Sequence, residues 1–221
     1  AWLGGRRRLL LLQGSRMPEA LGNGARLLDA LALWPPPQAT TVLLACGGQP
    51  DRASWDGLLG PRGWRGERPD GTAAACGASA AWRRGEITLL LGAGRFESWA
   101  AWAEVGLATA GTATEQLVGL GVPALSLPGS GPQFTAGFAR RQSRLLGGAV
   151  LPCRGPAELA TRLTRLLDDV QLRQRLGAIG RRRMGAGGGS VRLAELLEER
   201  LLALPHSPLN GLGSGKNSEL G

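Results

Sequence analysis

Short unbroken apolar runs alternate along this chain with stretches in which leucine returns at roughly helical spacing. The first run, Arg8–Leu12, ends in a Gly14-Ser15-Arg16 turn and leads into an amphipathic stretch from Glu19 to Leu33, where Leu21, Leu27, Leu28 and Leu31 recur. Pro35-Pro36-Pro37 stops that helix. Thr40–Ala45 predicts a second buried strand, and Asp51–Leu59 a short helix with Asp51 near its N-terminus. Residues 60–80, rich in Gly, Pro and Arg, show no period and read as irregular, with a short strand near Thr72–Cys76. Further strands are expected at Ile87–Leu91, Val105–Ala108, Ala124–Leu127 and Ala149–Leu151. Helices are expected at Phe96–Glu104, Thr114–Leu120, Phe134–Leu146, 156–168, 171–184 and 191–204. Continuous apolar strands separated by helices predict an α/β fold, a doubly wound parallel sheet covered on both faces with helices at its C-terminal end.

The chain has 221 residues, 43% of them hydrophobic, which suits one core better than two. One domain over 1–204 is expected, followed by a disordered tail over 205–221, which is rich in Gly, Ser and Asn. Because the chain begins at Ala1, directly before its first strand, it reads as part of a longer protein. The net charge is +9, yet Lys216 is the only lysine among 26 basic residues, and Tyr is absent. That skew resembles a coding bias and weakens the charge as a sign of nucleic-acid binding, since the aromatics are mostly scattered Trp. No nucleic-acid partner is expected.

Cys46, Cys76 and Cys153 lie far apart, with no CxxC pair and a single histidine, His206, in the tail. Zinc binding is therefore disfavoured, and free thiols of a reducing, cytoplasmic compartment are the simpler reading. No apolar run is long enough to span a membrane. Arg6, Arg7 and Arg8 before four leucines imitate the start of a signal peptide, but the run ends too soon and lacks a cleavage site. A buried strand accounts for it better.

Candidate chemistry sits in three turns that follow strands. Gly14, Ser15 and Arg16 combine a permissive backbone, free amides and a guanidinium, which suits an anion. Gly111, Thr112, Ala113, Thr114, Glu115 and Gln116 open a helix with free amides and two hydroxyls, and a carboxylate or amide one turn in could meet a ribose. Pro128–Thr135 is a rigid loop carrying Gln133, Phe134 and Thr135 into another helix. Each turn alone could be a plain connector or a capped helix start; their recurrence at successive strand ends favours a shared site. GxGxxG and GxxxxGK[ST] are both absent, and no Ser/His/Asp or Cys/His set can be assembled in the body.

Leu9–Arg16 followed by Glu19 resembles the "LLPGSR…E" segment that begins the C-terminal domain of lipid-A-disaccharide synthase. Gly111-Thr112-Ala113 with Pro123 resembles that family's "SGTA…P", and Gln133-Phe134-Thr135 its "PFT". Ala110 to Pro123, Gly131–Thr135 and Gln142 resemble still more closely the related proteins of cyanobacteria. The resemblance covers roughly residues 8 to 153. It implies the C-terminal half of a GT-B glycosyltransferase, in which a Rossmann-like domain binds a UDP-sugar donor without metal or other cofactor. By that resemblance, Gly14, Ser15 and Arg16 meet the diphosphate side, and Gly111, Thr112 and Ala113 the diphosphate or ribose. The family's ribose-binding Glu falls at Gln116, with Glu115 beside it. A second, N-terminal Rossmann-like domain would supply the base and the site for a lipid or sugar acceptor, at the inner membrane surface. Alternatives are a non-catalytic nucleotide- or sugar-phosphate-binding module, and a basic adaptor on anionic membrane.

Overall fold

Eight strands form one sheet in the computed structural model, which describes residues 6–202. Their order along the chain is β1 (Arg7–Leu12), β2 (Thr40–Cys46), β3 (Arg65–Glu67), β4 (Ala80–Arg84), β5 (Ile87–Ala93), β6 (Val105–Ala108), β7 (Ala124–Ser126) and β8 (Val150–Pro152). Across the sheet they run β3-β4-β5-β2-β1-β6-β7-β8. The six strands from β5 to β8 are parallel, while β3 and β4 add an antiparallel edge. The expected doubly wound α/β sheet is therefore present.

Side chains alternate across the pleat, so an unbroken apolar strand feeds two cores. Leu9 and Leu11 of β1 pack with Leu27, Leu28 and Leu31 of helix α1 (Glu19–Leu33), Trp55 and Leu59 of α2 (Arg52–Leu59), and Leu159, Leu163, Leu166 and Leu167 of α7 (Pro156–Asp168). Leu10 and Leu12 face the other way, against Trp99 of α4 (Phe96–Ala100) and Leu117 of α5 (Thr112–Gly119). Each fully buried leucine contributes about 1.5–3 kcal/mol. Gly24 of α1 is small because a Cβ there would lie 2.5 Å from the Trp55 ring.

The segment 60–80 departs from expectation. Gly71–Ala75 is a helix, α3, not a strand, because the Asp70 carboxylate accepts from the Ala73 amide at 2.7 Å and caps it. The short strand expected near Thr72–Cys76 is thus replaced. β3 and β4 form on either side of α3, with the Trp82 indole N–H donating to Asp56 at 2.7 Å. Helix α4 ends at Ala100, short of the predicted Glu104, and Glu104 instead pairs with Arg7 at 3.1 Å and Arg173 at 3.5 Å. It also accepts from the Arg8 amide at 3.0 Å, so one carboxylate fastens the start of β1 to the chain entering β6.

Two more helices complete the unit: α6 (Ala136–Leu145) and α8 (Val170–Met184). Helix α8 seats on α5 through Gly177 and Gly180, whose missing side chains admit the Gly121 and Val118 carbonyls. This compact unit ends at Gly185, where the sequence reading carries the domain on to 204. Helix α9 (Gly189–Leu202) belongs to a second unit, and its Leu193 and Leu197 are exposed. The expected tail over 205–221, including His206, lies outside the described residues.

Gly177→Ala tests the α5–α8 contact, because its Cβ would fall 2.2 Å from the backbone oxygen of Gly121, which cannot rotate away. Urea denaturation should show a loss of about 1–3 kcal/mol. An unchanged midpoint would mean that α8 does not seat there.

Candidate functional site

In the parallel part of the sheet the chain steps from β1 outward to β2 and β5, then returns to place β6 on β1's other side. Helix α1 packs on one face and α5 on the opposite face. The turns leaving β1 and β6 consequently diverge and leave a crevice between them at the carboxyl edge, the usual ligand position in such sheets. A cleft of about 660 Å³ opens there.

Three tethers hold the cleft's turns together. The Thr109 amide donates to the Leu12 carbonyl at 2.9 Å, joining the ends of β1 and β6. Asn23 of α1, buried, donates from Nδ2 to the Gln13 carbonyl at 2.9 Å and accepts at Oδ1 from the Ser130 amide at 2.8 Å. It thereby ties the first turn to the third. Gln142 of α6, also buried, donates to the Gly111 carbonyl at 3.1 Å and to the Glu115 carboxylate at 3.3 Å. Glycine is favoured at two further places, at one by close approach and at the other by backbone conformation. A Cβ on Gly131 would meet Glu19 Cγ at 2.5 Å, and Gly14, at φ +85°, occupies the left-handed region.

Of the residues singled out in the sequence, Gly14, Ser15, Arg16, Gly111, Thr112, Ala113, Gln116, Gln133 and Phe134 line this one cleft. Three others do not. Thr114 is buried and its hydroxyl donates back to the Ala110 carbonyl at 2.6 Å. Glu115 is turned to Gln142, leaving Gln116 as the neighbour that faces the cleft. Thr135 caps α6, its Oγ1 accepting from the Phe138 amide at 3.2 Å.

The charges and walls of the cleft limit what it can hold. Arg16 and Glu19 are the only charged side chains lining it among the described residues. Thr112 and Ala113 supply the first amides of α5, which a helix leaves unpaired and which carry its positive dipole end. All three phenylalanines of the chain line the same cleft, Phe134 and Phe138 with ring centroids 5.1 Å apart and Phe96 contributed by α4. Cys46 also lines it, with its thiol pKa pushed up by burial, so it stays protonated and is a poor nucleophile. An anion-seeking helix end between apolar walls suits a phosphate ester with a flat or apolar appendage. Among the described residues no three His, Cys, Asp or Glu side chains gather to hold a metal ion.

Asn23, Phe96 and Phe138 escaped the sequence reading. Asn23 did leave a signal, standing four residues before Leu27 and eight before Leu31, on a stripe that should be apolar. Phe96 and Phe138 left none, since each reads equally well as core.

The same fold recurs in solved proteins. A putative UDP-N-acetylglucosamine 2-epimerase from Listeria monocytogenes superposes with a TM-score of 0.59 at 16% identity, over 90% of this chain and 46% of that one. Anabaena Alr3699/HepE in complex with UDP gives 0.60 at 14% identity, over 92% and 50%. The C-terminal CMP-Kdo binding domain of WaaA from Acinetobacter baumannii gives 0.59 at 14% identity, over 84% and 92%. The α/β sheet of this chain matches the Rossmann-like domains found in GT-B glycosyltransferases. This chain spans about half the length of the first two. No protein-family model matches the sequence, and no curated protein matches it.

Removing the Asn23 tether by Asn23→Ala leaves the Ser130 amide and Gln13 carbonyl without their partner. The loss should be about 1–3 kcal/mol in chemical denaturation, and a value near zero would show that water replaces Asn23 without cost.

Proposed function

We propose that this domain binds the nucleoside diphosphate of a UDP-sugar and acts as the donor half of a glycosyltransferase. The observation that carries the reading is the convergence of Gly14–Arg16 and Gly111–Ala113 on one crevice at the point where strand order reverses. There the α5 amides and the Arg16 guanidinium meet a diphosphate, while a phenylalanine wall suits a flat base. Gln116, in the position the lipid-A-disaccharide synthase resemblance gives to a carboxylate, offers the ribose both a donor and an acceptor.

In the complete reaction an acceptor hydroxyl attacks the anomeric carbon of the sugar, its proton passes to a base, and the bond to UDP breaks with both electrons going to the diphosphate. This half stabilises the departing charge through Arg16 and the α5 N-terminus. The base, and a lipid or sugar acceptor, belong to a second domain such as the resemblance implies. The narrower assignment to lipid-A-disaccharide synthase rests on the wording of Leu9–Arg16, Gly111–Ala113, Pro123 and Gln133–Thr135.

A second reading, a nucleotide-binding module without turnover, is favoured by one observation: among the described residues Glu19 is the single carboxylate on the cleft lining and no histidine joins it. Sugar release from a UDP-hexose, assayed with this domain joined to a second Rossmann-like domain, separates the two readings.

Calorimetric titration of UDP against the wild-type chain and Arg16→Ala checks the phosphate role. Loss of one charge-assisted contact worth about 1.5–3 kcal/mol weakens binding roughly 10- to 100-fold. Equal affinities would remove Arg16 from the phosphate site.

A further inference from the structure

The edge of the domain opposite the cleft carries a second surface of distinct character. Helices α5 and α6 both begin at cleft turns and lead back to the starts of β7 and β8, and α8 packs on α5 and meets the turn that follows α6. Their last turns meet there. Arg181 donates to the Leu120 carbonyl at 3.4 Å, and Met184 lies against Gly119. Gly147, whose amide bonds the Arg144 carbonyl at 3.2 Å, lies against the Arg183 guanidinium. Arg144, in the last turn of α6, and Arg181, Arg182 and Arg183, in the last turn of α8, are thus gathered at one edge, all exposed.

Composition spreads arginine over the whole chain, but several surface arginines elsewhere meet an acid. Arg52 pairs with Asp56, Arg62 with Asp29, Arg83 with Glu67, and Arg154 and Arg162 with Glu158. At this edge none of the four forms an ion pair among the described residues, and no Asp or Glu occurs in residues 116–157 or 170–194. Like charges held together repel one another unless an outside anion neutralises them. Large apolar side chains stand among them: Leu120 is 50% exposed, Leu145 66% and Met184 41%.

We propose that this edge docks on a bilayer containing anionic lipid. Guanidiniums interspersed with exposed leucine and methionine match phosphate headgroups over acyl chains. A second copy of the chain would bring like charges together. Nucleic acid would leave the apolar side chains unused, and α8 offers no ring on which a base could stack. Docking here turns the cleft away from the lipid, towards water.

Co-sedimentation with phosphatidylglycerol-containing and pure phosphatidylcholine vesicles tests the proposal, with poly(U) RNA as a competing polyanion. The wild-type chain should bind only the anionic vesicles. R144E/R183E should weaken that binding by at least about tenfold, and Leu145→Ser several-fold, with thermal midpoints unchanged because all three side chains are exposed. R65E/R68E makes the same charge change on the other side of the sheet and should have a clearly smaller effect. Equal losses from both pairs, indifference to Leu145→Ser, tighter binding of poly(U), or no binding to anionic vesicles would each overturn the proposal.

Discussion

The site depends on one topological constraint, the entry of β6 beside β1 after the chain has built the other half of the sheet. Because α1 then packs on one face and α5 on the other, the turns leaving the two central strands must separate. The amino ends of both helices are carried to the rim of the same opening. The anion affinity proposed there follows from backbone direction before any side chain is specified. Arg16, Gln116 and the phenylalanine walls refine a site whose place is set by strand order.

Keeping that opening in shape requires polar groups inside it, and these are costly unless fully paired. Asn23 meets the requirement by giving and receiving at once, to the Gln13 carbonyl and from the Ser130 amide. Gln142 holds the opposite side through its amide nitrogen alone, donating to the Gly111 carbonyl and to Glu115 and so drawing Glu115 off the cleft, while its buried Oε1 has no partner among the described residues. The result is a cleft whose lining, among the described residues, is close to neutral in side-chain charge, so the anion binding proposed for it rests on dipoles and one guanidinium.

The parallel strands were legible because each is apolar on both faces, and no other element in a chain of this length requires that. The turns at their ends were legible through Gly14, Gly111 and the residues after them, which is how most of the cleft lining could be named beforehand. The antiparallel edge was not. β3 reads Arg-Gly-Glu and β4 holds two arginines, and they form strands because β5 offers a free edge and Trp82 finds Asp56 far away in sequence. Long-range partners of this kind leave no periodicity. The same limit hid the division between Glu115 and Gln116, since the approach of α6 decides which of two adjacent polar residues faces the cleft.

Backbone amide shifts of the isotopically labelled chain during a UDP titration test the central claim most directly. The account predicts saturable shifts concentrated at Gly14, Ser15, Arg16, Thr112 and Ala113, together with Gln116, while β3, β4 and the α6–α8 edge stay still. Shifts centred away from the β1 and β6 turns, or none at millimolar UDP, would contradict it.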